Sequence, residues 1–281
     1  MDATPQQNAA QAKLWNGAAG EAWVDMQASL DRMFRPFEDV LLEAVPAGAG
    51  GHVLDVGCGT GATTLAIARA LGGGGRCIGV DVSAPMIAAA RARAARSDVP
   101  AHFIDADAAS HAFEPGRFDR VVSRFGVMFF DDPVRAFANL RRATNAAGGL
   151  RFIAWRSPAE NAFMTTAERA AVPLLPGLPE REPGAPGQFA FADGERVRAL
   201  LSQSGWRDVD IRPVDVECRL PEAELIPCFT RIGPVGQHLQ QADACLRARV
   251  IDTMRAAFEP HVRGDTVRFV AACWVVDARP G

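Results

Sequence analysis

The sequence predicts an α/β fold: a mostly parallel sheet with helices on both faces and ligands at the carboxyl ends of its strands. Three observations carry that prediction. Between residues 52 and 155, strand-like and helix-like segments alternate, an order that implies parallel strands joined by helical crossovers. The apolar run Val53-Leu54-Asp55-Val56 passes straight into Gly57-Cys58-Gly59-Thr60-Gly61, and a helical pattern (Thr64, Leu65, Ile67, Ala68, Leu71) opens directly behind it. Acids also stand at the ends of three successive strand-like runs, at Asp55, Asp81 and Asp105 to Asp107.

Taken in order, residues 1 to 9 are polar and read as a frayed terminus. Residues 10 to 30 are helical in pattern but interrupted by Gly17 and Gly20, with Trp15, Trp23 and Met26 as large anchors. The two tryptophans either cover a ligand or dock this arm on the core. Residues 30 to 45 form a second helix with Met33, Phe34, Phe37, Val40, Leu41 and Ala44 on one face, and the run from Pro46 to Gly51 breaks it. Residues 1 to 50 are therefore a helical cap and 51 to 281 the main domain.

Its core is expected as strand 52–57, helix 61–71, strand 76–81, helix 84–97, strand 101–105, strand 118–123, helix 133–146 and strand 149–155. Ser83 reads as a helix N-cap with Pro85 in the first turn. Asp132 before Pro133 reads the same way, and better than the magnesium site that paired carboxylates also suggest.

The pattern then changes. A short helix over 161–172 and a proline- and glycine-rich run fill 157–191, and a mainly helical stretch fills 221–260. Long connections inside a compact domain are usually functional. Both read as lids over an apolar substrate, with a plain surface insertion as the alternative for the first. Helix 193–204, strand 209–216 and a long apolar strand 266–276 complete the chain.

The glycine turn lets a cofactor approach bare backbone at a helix N-terminus. Asp55, inside the strand end, is a buried carboxylate that wants a cationic partner. Asp81 is placed to accept from two ribose hydroxyls, and an acid in Asp105-Ala106-Asp107-Ala108 can accept from an adenine amino group. Gly57-x-Gly59-x-x-Ala62 also satisfies the relaxed dinucleotide pattern.

With LDVGCGTG (54–61), GVDVSAPMIAAARAR (79–93), DADA (105–108), FDRVVSRFGVMFF (118–130) and AGGLRFIAW (147–155) in this order, the chain resembles the class I S-adenosylmethionine-dependent methyltransferases. Among these it resembles the small-molecule group that includes the ubiquinone and menaquinone biosynthesis C-methyltransferases. The resemblance implies a Rossmann-like seven-stranded sheet, mostly parallel, whose antiparallel last strand hairpins with the sixth, and an N-terminal cap over the active-site mouth. It implies that Gly57, Gly59 and Gly61 line the methionine part of S-adenosylmethionine, that Asp81 and Val82 hold the ribose, and that Met86, Asp107 and Ala108 hold the adenine. Ser123, Arg124 and Phe125 would face the methyl donor.

Thirty basic against 33 acidic residues give a net charge of -3, which offers no footprint for nucleic acid or an anionic membrane. A small-molecule acceptor is favoured, and a homo-oligomer is compatible with the sequence. Six scattered cysteines, without a C-x-x-C pair, suggest neither a zinc site nor a disulfide framework. No signal peptide or membrane-spanning run is evident, so a cytoplasmic protein is expected. Methyl transfer needs alignment and exclusion of water rather than a nucleophile and base pair. Two residues are candidates for more: Arg124, directly above the sheet, to orient an acidic acceptor or its oxyanion, and His238, in the second lid, as a general base.

Three other readings stand beside this one. An NAD(P)-dependent oxidoreductase is permitted by the glycine turn but disfavoured by Asp55 and Asp107. A methyltransferase of nucleic acid or protein is disfavoured by the charge and by Ser123-Arg124-Phe125-Gly126 in place of an Asn-Pro-Pro-aromatic motif. A cofactor-binding protein without catalysis is the third.

Overall fold

A computed structural model describes residues 9–45, 50–97 and 99–281. The expected fraying of residues 1–8 and the expected break at 46–49 lie outside them. Four short helices come first: α1 (Ala9–Trp15), α2 (Ala18–Asp25), α3 (Gln27–Phe34) and α4 (Pro36–Leu42). The single helix expected over 30–45 is thus two, because Pro36 has no N–H to donate and sits in the first turn of α4. The stretch 10–30 is likewise divided, after Trp15 and after Asp25.

The core follows the predicted alternation: β1 (His52–Val56), α5 (Ala62–Leu71), β2 (Arg76–Asp81), α6 (Ala84–Ser97), β3 (Ala101–Asp105), β4 (Phe118–Arg124), α7 (Pro133–Ala143) and β5 (Thr144–Trp155). Asp132 caps α7, accepting from the Arg135 N–H at 3.0 Å with Pro133 in the first turn. The helix ends at Ala143 rather than 146, because the β5 backbone is already extended at Thr144. Then come α8 (Ala162–Ala171), α9 (Gly194–Gln203), β6 (Trp206–Pro221), α10 (Glu222–Phe229), α11 (Gly233–Leu239), α12 (Ala244–Phe258), β7 (Val262–Arg263) and β8 (Thr266–Pro280).

The sheet order is β3-β2-β1-β4-β5-β8-β6, with β7 on β8. The first five strands are parallel, and β8 runs antiparallel between β5 and β6. Two details correct the expectation. There is an eighth strand, the two-residue β7, and β6 spans 16 residues rather than eight. Along its second half Val214, Val216, Cys218 and Leu220 face inward and alternate with exposed Asp215, Glu217 and Arg219, so the strand's period continues to Pro221. At the centre of the sheet, β1 and β4 bury side chains on both faces: Val53, Leu54, Val121 and Val122 are fully buried. Each such side chain contributes about 1.5–3 kcal/mol of burial. A second aromatic cluster ties the helical insertion to the sheet: Phe163 stacks on Phe269 at 3.9 Å and meets Phe229 and Phe258.

Candidate active site

The carboxyl ends of β1, β2 and β4 converge on a cleft. Its walls include Val56, Gly57, Gly59, Asp81, Val82, Met86, Asp107, Ala108, Arg124, Phe125 and Gly126. Nine of the sequence-derived candidates therefore stand together: Gly57, Gly59, Asp81, Val82, Met86, Asp107, Ala108, Arg124 and Phe125. The turn is held from both sides. The N–H groups of Gly57 and Cys58 donate to Val80 O at 2.8 and 3.1 Å, and the N–H of Gly59 donates to Asp81 Oδ2 at 2.8 Å. Asp81 Oδ1 accepts from the Ser83 N–H at 2.9 Å. Burial pushes the Asp81 carboxyl above its ordinary range, and these two N–H donors oppose the shift. At Gly59 (φ 53°) an added Cβ meets only Met86 Sδ, at 3.6 Å, so bare backbone faces the open cleft. Asp107 is the acid of a local turn, accepting from the Ala109 N–H and the Ser110 hydroxyl, both at 2.9 Å.

Four candidates stand elsewhere. Asp55 is 1% exposed and is not a cleft wall. Its Oδ2 accepts from Thr64 Oγ1 at 2.7 Å, while Oδ1 is buried without a hydrogen-bond partner. Burial pushes its carboxyl up to about 6, against the Thr64 hydroxyl and the Arg124 charge. Gly61 opens α5 beneath the cleft, where a Cβ would run into Phe103 and Ala90. Ser123 is fully buried and faces no cavity: its hydroxyl donates to Val56 O at 2.7 Å and accepts from the N–H groups of Gly126 and Val127. Its expected place at the methyl donor is corrected to one in the turn that follows β4. His238 is corrected too. Nδ1 lies 3.0 Å from Pro234 O and Nε2 2.8 Å from Gly177 O, and the ring lines neither cavity. Both ring nitrogens face carbonyl oxygens, so the ring pins α11 to the 174–179 loop and presents neither nitrogen to a substrate.

Arg124 faces the cleft. It stands 3.8 Å from Glu38 of α4, its guanidinium carbon is 5.9 Å from the Phe34 ring centroid, and Nη1 is buried without a hydrogen-bond partner. Burial raises the Glu38 carboxyl, opposed by this arginine. Beside Arg124, Phe125 has a left-handed backbone (φ 66°), costly for a residue with a Cβ and typical of functional turns. Its N–H donates to Ile153 O at 3.1 Å, and its ring stacks on Trp155 at 4.7 Å and 11°.

A second cavity, of about 470 Å³, adjoins the first. Its walls come from α1 to α3 (Leu14, Trp15, Trp23, Met33, Phe34), from Phe125, Phe129 and Trp155, from the segment 164–188 (Met164, Ala167, Glu168, Arg181) and from 228–237 (Phe229, Ile232, Val235). It is mostly apolar, and both predicted lid regions border it. The N-terminal helices are fastened over it by Asn16, which donates to Val82 O at 2.8 Å and accepts from the Ala84 N–H at 2.9 Å, and by the Ser83 hydroxyl donating to Trp15 O at 2.6 Å. Gln11, Gly126, Phe129 and Arg181 also line these cavities, and sequence reasoning missed them. A helix face or loop that touches a ligand through one side chain leaves no periodic signal, whereas Gly126 could have been found from its place directly after β4.

A family model described as a methyltransferase domain matches residues 53–148. That stretch runs from β1 into β5 and stops short of the 157–191 and 221–260 segments. In sequence the chain is similar to nocamycin O-methyltransferase of Saccharothrix syringae, 27% identical over 83% of this chain and 87% of that protein. It is also similar to demethylmenaquinone methyltransferase of Renibacterium salmoninarum, 28% identical over 63% and 76%. In fold it is similar to the YcgJ protein of Bacillus subtilis, with a TM-score of 0.58, 18% identity, and coverage of 88% of this chain and 98% of that one.

Proposed function

We propose that this chain, a class I S-adenosylmethionine-dependent methyltransferase, transfers the methyl group to a small, largely apolar acceptor held in the larger cavity. The observation that carries this reading is the adjoining pair of cavities. One lies at the carboxyl ends of the strands, the other is an apolar chamber of about 470 Å³, and both are lined by Trp15, Trp23, Phe125 and Phe129. The names of the two relatives, which act on small molecules, support the same reading.

The cleft fits the cofactor. Asp81 presents a carboxylate to ribose hydroxyls, and Met86 and Ala108 offer apolar walls to adenine. Asp55, buried behind the cleft wall with Oδ1 free of hydrogen bonds, supplies negative charge toward the ligand's ammonium, and Arg124 Nη1, 3.8 Å from Glu38 but without a hydrogen bond, is a donor for its carboxylate. On this reading Arg124 serves the cofactor rather than the acceptor. S-adenosylmethionine supplies a methyl group already activated on a cationic sulfur. The protein's part is alignment and exclusion of water. The cap (1–50) and the insertions (157–191 and 221–260) act as lids that provide both, and the six unpaired cysteines fit a cytoplasmic setting. Among the described residues, no helix is long and apolar enough to cross a membrane.

Met164→Trp, which fills the chamber from α8, tests this. S-adenosylhomocysteine release in the presence of apolar acceptors should fall at least about tenfold, while calorimetric affinity for S-adenosylmethionine stays the same. Unchanged turnover would place the acceptor elsewhere.

A further inference from the structure

Five residues line both cavities: Gln11, Trp15, Trp23, Phe125 and Phe129. A methyl group must cross between the cavities here. Four of the five are aromatic, with Trp15 edge-on to Trp23 (5.9 Å, 79°) and to Phe129 (5.1 Å, 90°). Ring faces of this kind favour a neighbouring cation. Gln11 is the one polar side chain at the junction, and its amide orientation is fixed. Trp15 Nε1 can only donate, and it lies 3.2 Å from Gln11 Oε1, so the oxygen is engaged. Nε2 keeps two N–H donors with no partner among the described residues.

The chamber beyond holds no free proton acceptor among its described residues. Glu168 is its one carboxylate, and Arg181 grips both its oxygens, at 2.9 and 2.5 Å. Arg181 also lies over the Phe189 ring, 4.6 Å from its centroid. Arg231 on the opposite side stands 3.7 Å from Asp25. Cys228 is a buried thiol pushed up to about 12. The junction thus offers a hydrogen-bond donor and aromatic faces, the chamber's two guanidinium groups are each paired with a carboxylate, and nothing there takes up a proton.

Resting on the methyltransferase reading above, we infer that the acceptor arrives already ionised, as an anionic oxygen on an apolar body (a carboxylate or the enolate of an acidic dicarbonyl), and that Gln11 Nε2 holds the reacting oxygen. The oxygen's lone pair forms the new oxygen–carbon bond as the methyl–sulfur bond breaks and its electron pair stays on sulfur. The opposite charges cancel and no proton is released, so no base is required. An apolar chamber suits a step that cancels charge, because poorly solvated ions lose little hydration as they react.

Calorimetry at saturating S-adenosylhomocysteine tests this with three probes of one shape: 1-naphthylacetate, 1-naphthaleneethanol and 1-naphthylethylamine. At pH 7.5 the acid should bind about tenfold or more tighter than the alcohol or the amine, as expected for a charge-assisted hydrogen bond. Gln11→Leu should bring the acid-to-alcohol ratio close to one. Gln11→Glu, which keeps an oxygen for Trp15 Nε1 and adds negative charge, should reverse the preference toward the amine. Equal binding of acid and alcohol, or silence from all three probes while S-adenosylhomocysteine binds, overturns the inference and leaves the methyltransferase reading standing. Absence of S-adenosylhomocysteine binding removes both.

Discussion

Gly57 and Gly126 cross backbone against backbone. A Cβ on Gly57 would come within 2.5 Å of the Gly126 Cα, and a Cβ on Gly126 within 2.6 Å of the Gly57 Cα and 2.5 Å of Val56 O. The turns after β1 and β4 therefore meet with no room for any side chain, and that contact sets the floor of the cleft. Gly57 also has φ 67°, a left-handed backbone that costs an L-residue about 1–2 kcal/mol.

Alanine at Gly57 or Gly126 should accordingly destabilise the fold by more than about 2 kcal/mol, since neither backbone can move without the other. Gly59→Ala should cost less, about 1–2 kcal/mol for its left-handed φ of 53°, because its Cβ meets only Met86 Sδ at 3.6 Å, and it should weaken cofactor binding. Thermal denaturation and calorimetry on the three variants separate the two effects. Equal melting losses in all three would show that the turn's glycines share one role.

Much of this was legible in the sequence, for a physical reason. Glycines at left-handed torsions and acids at strand ends are demanded by the backbone, so they sit at fixed offsets from an apolar run, and Gly57, Gly59, Asp81 and Asp107 were found that way. Side chains that reach the site across space carry no such signature. Gln11 reaches the junction of the two cavities from a helix, and Arg181 reaches the chamber from a loop. His238 lies in the 221–260 segment, but its ring nitrogens face Gly177 and Pro234. The reach of β6 was legible too, since inward Val214, Val216, Cys218 and Leu220 alternate with exposed Asp215, Glu217 and Arg219 up to Pro221.

Asp55→Asn should stabilise the cofactor-free protein at neutral pH. Burial raises the carboxyl from 3.8 to about 6, so between those values the native state holds a proton that the unfolded chain has already lost. Stability therefore falls as pH rises through this window, by at most about 3 kcal/mol at about 1.4 kcal/mol per unit. Asparagine removes the penalty while its amide oxygen still accepts from Thr64. Urea denaturation should show the gain above pH 6 and lose it below about pH 4. A gain that is constant with pH would mean Asp55 does not titrate there. The same variant should bind S-adenosylmethionine more weakly.

Asp81→Ala should weaken S-adenosylmethionine binding by about 1–3 kcal/mol through loss of the charge-assisted bond to the ribose. It should also loosen the turn, since the N–H groups of Gly59 and Ser83 lose their acceptor. Calorimetry giving wild-type affinity would remove Asp81 from the site.

Ser123→Ala should act on stability first. Three hydrogen bonds converge on this buried hydroxyl, and leaving Val56 O and the N–H groups of Gly126 and Val127 without it should cost about 2 kcal/mol or more. Loss of turnover at unchanged melting temperature would instead restore a direct role at the methyl donor.

The most direct test of the whole account is calorimetric titration of the purified protein with S-adenosylmethionine, S-adenosylhomocysteine and the oxidised and reduced nicotinamide nucleotides. Micromolar binding of the first two with silence from the nucleotides is the predicted result. Nucleotide binding with silence from the sulfur compounds would contradict it and assign the glycine turn to a dinucleotide.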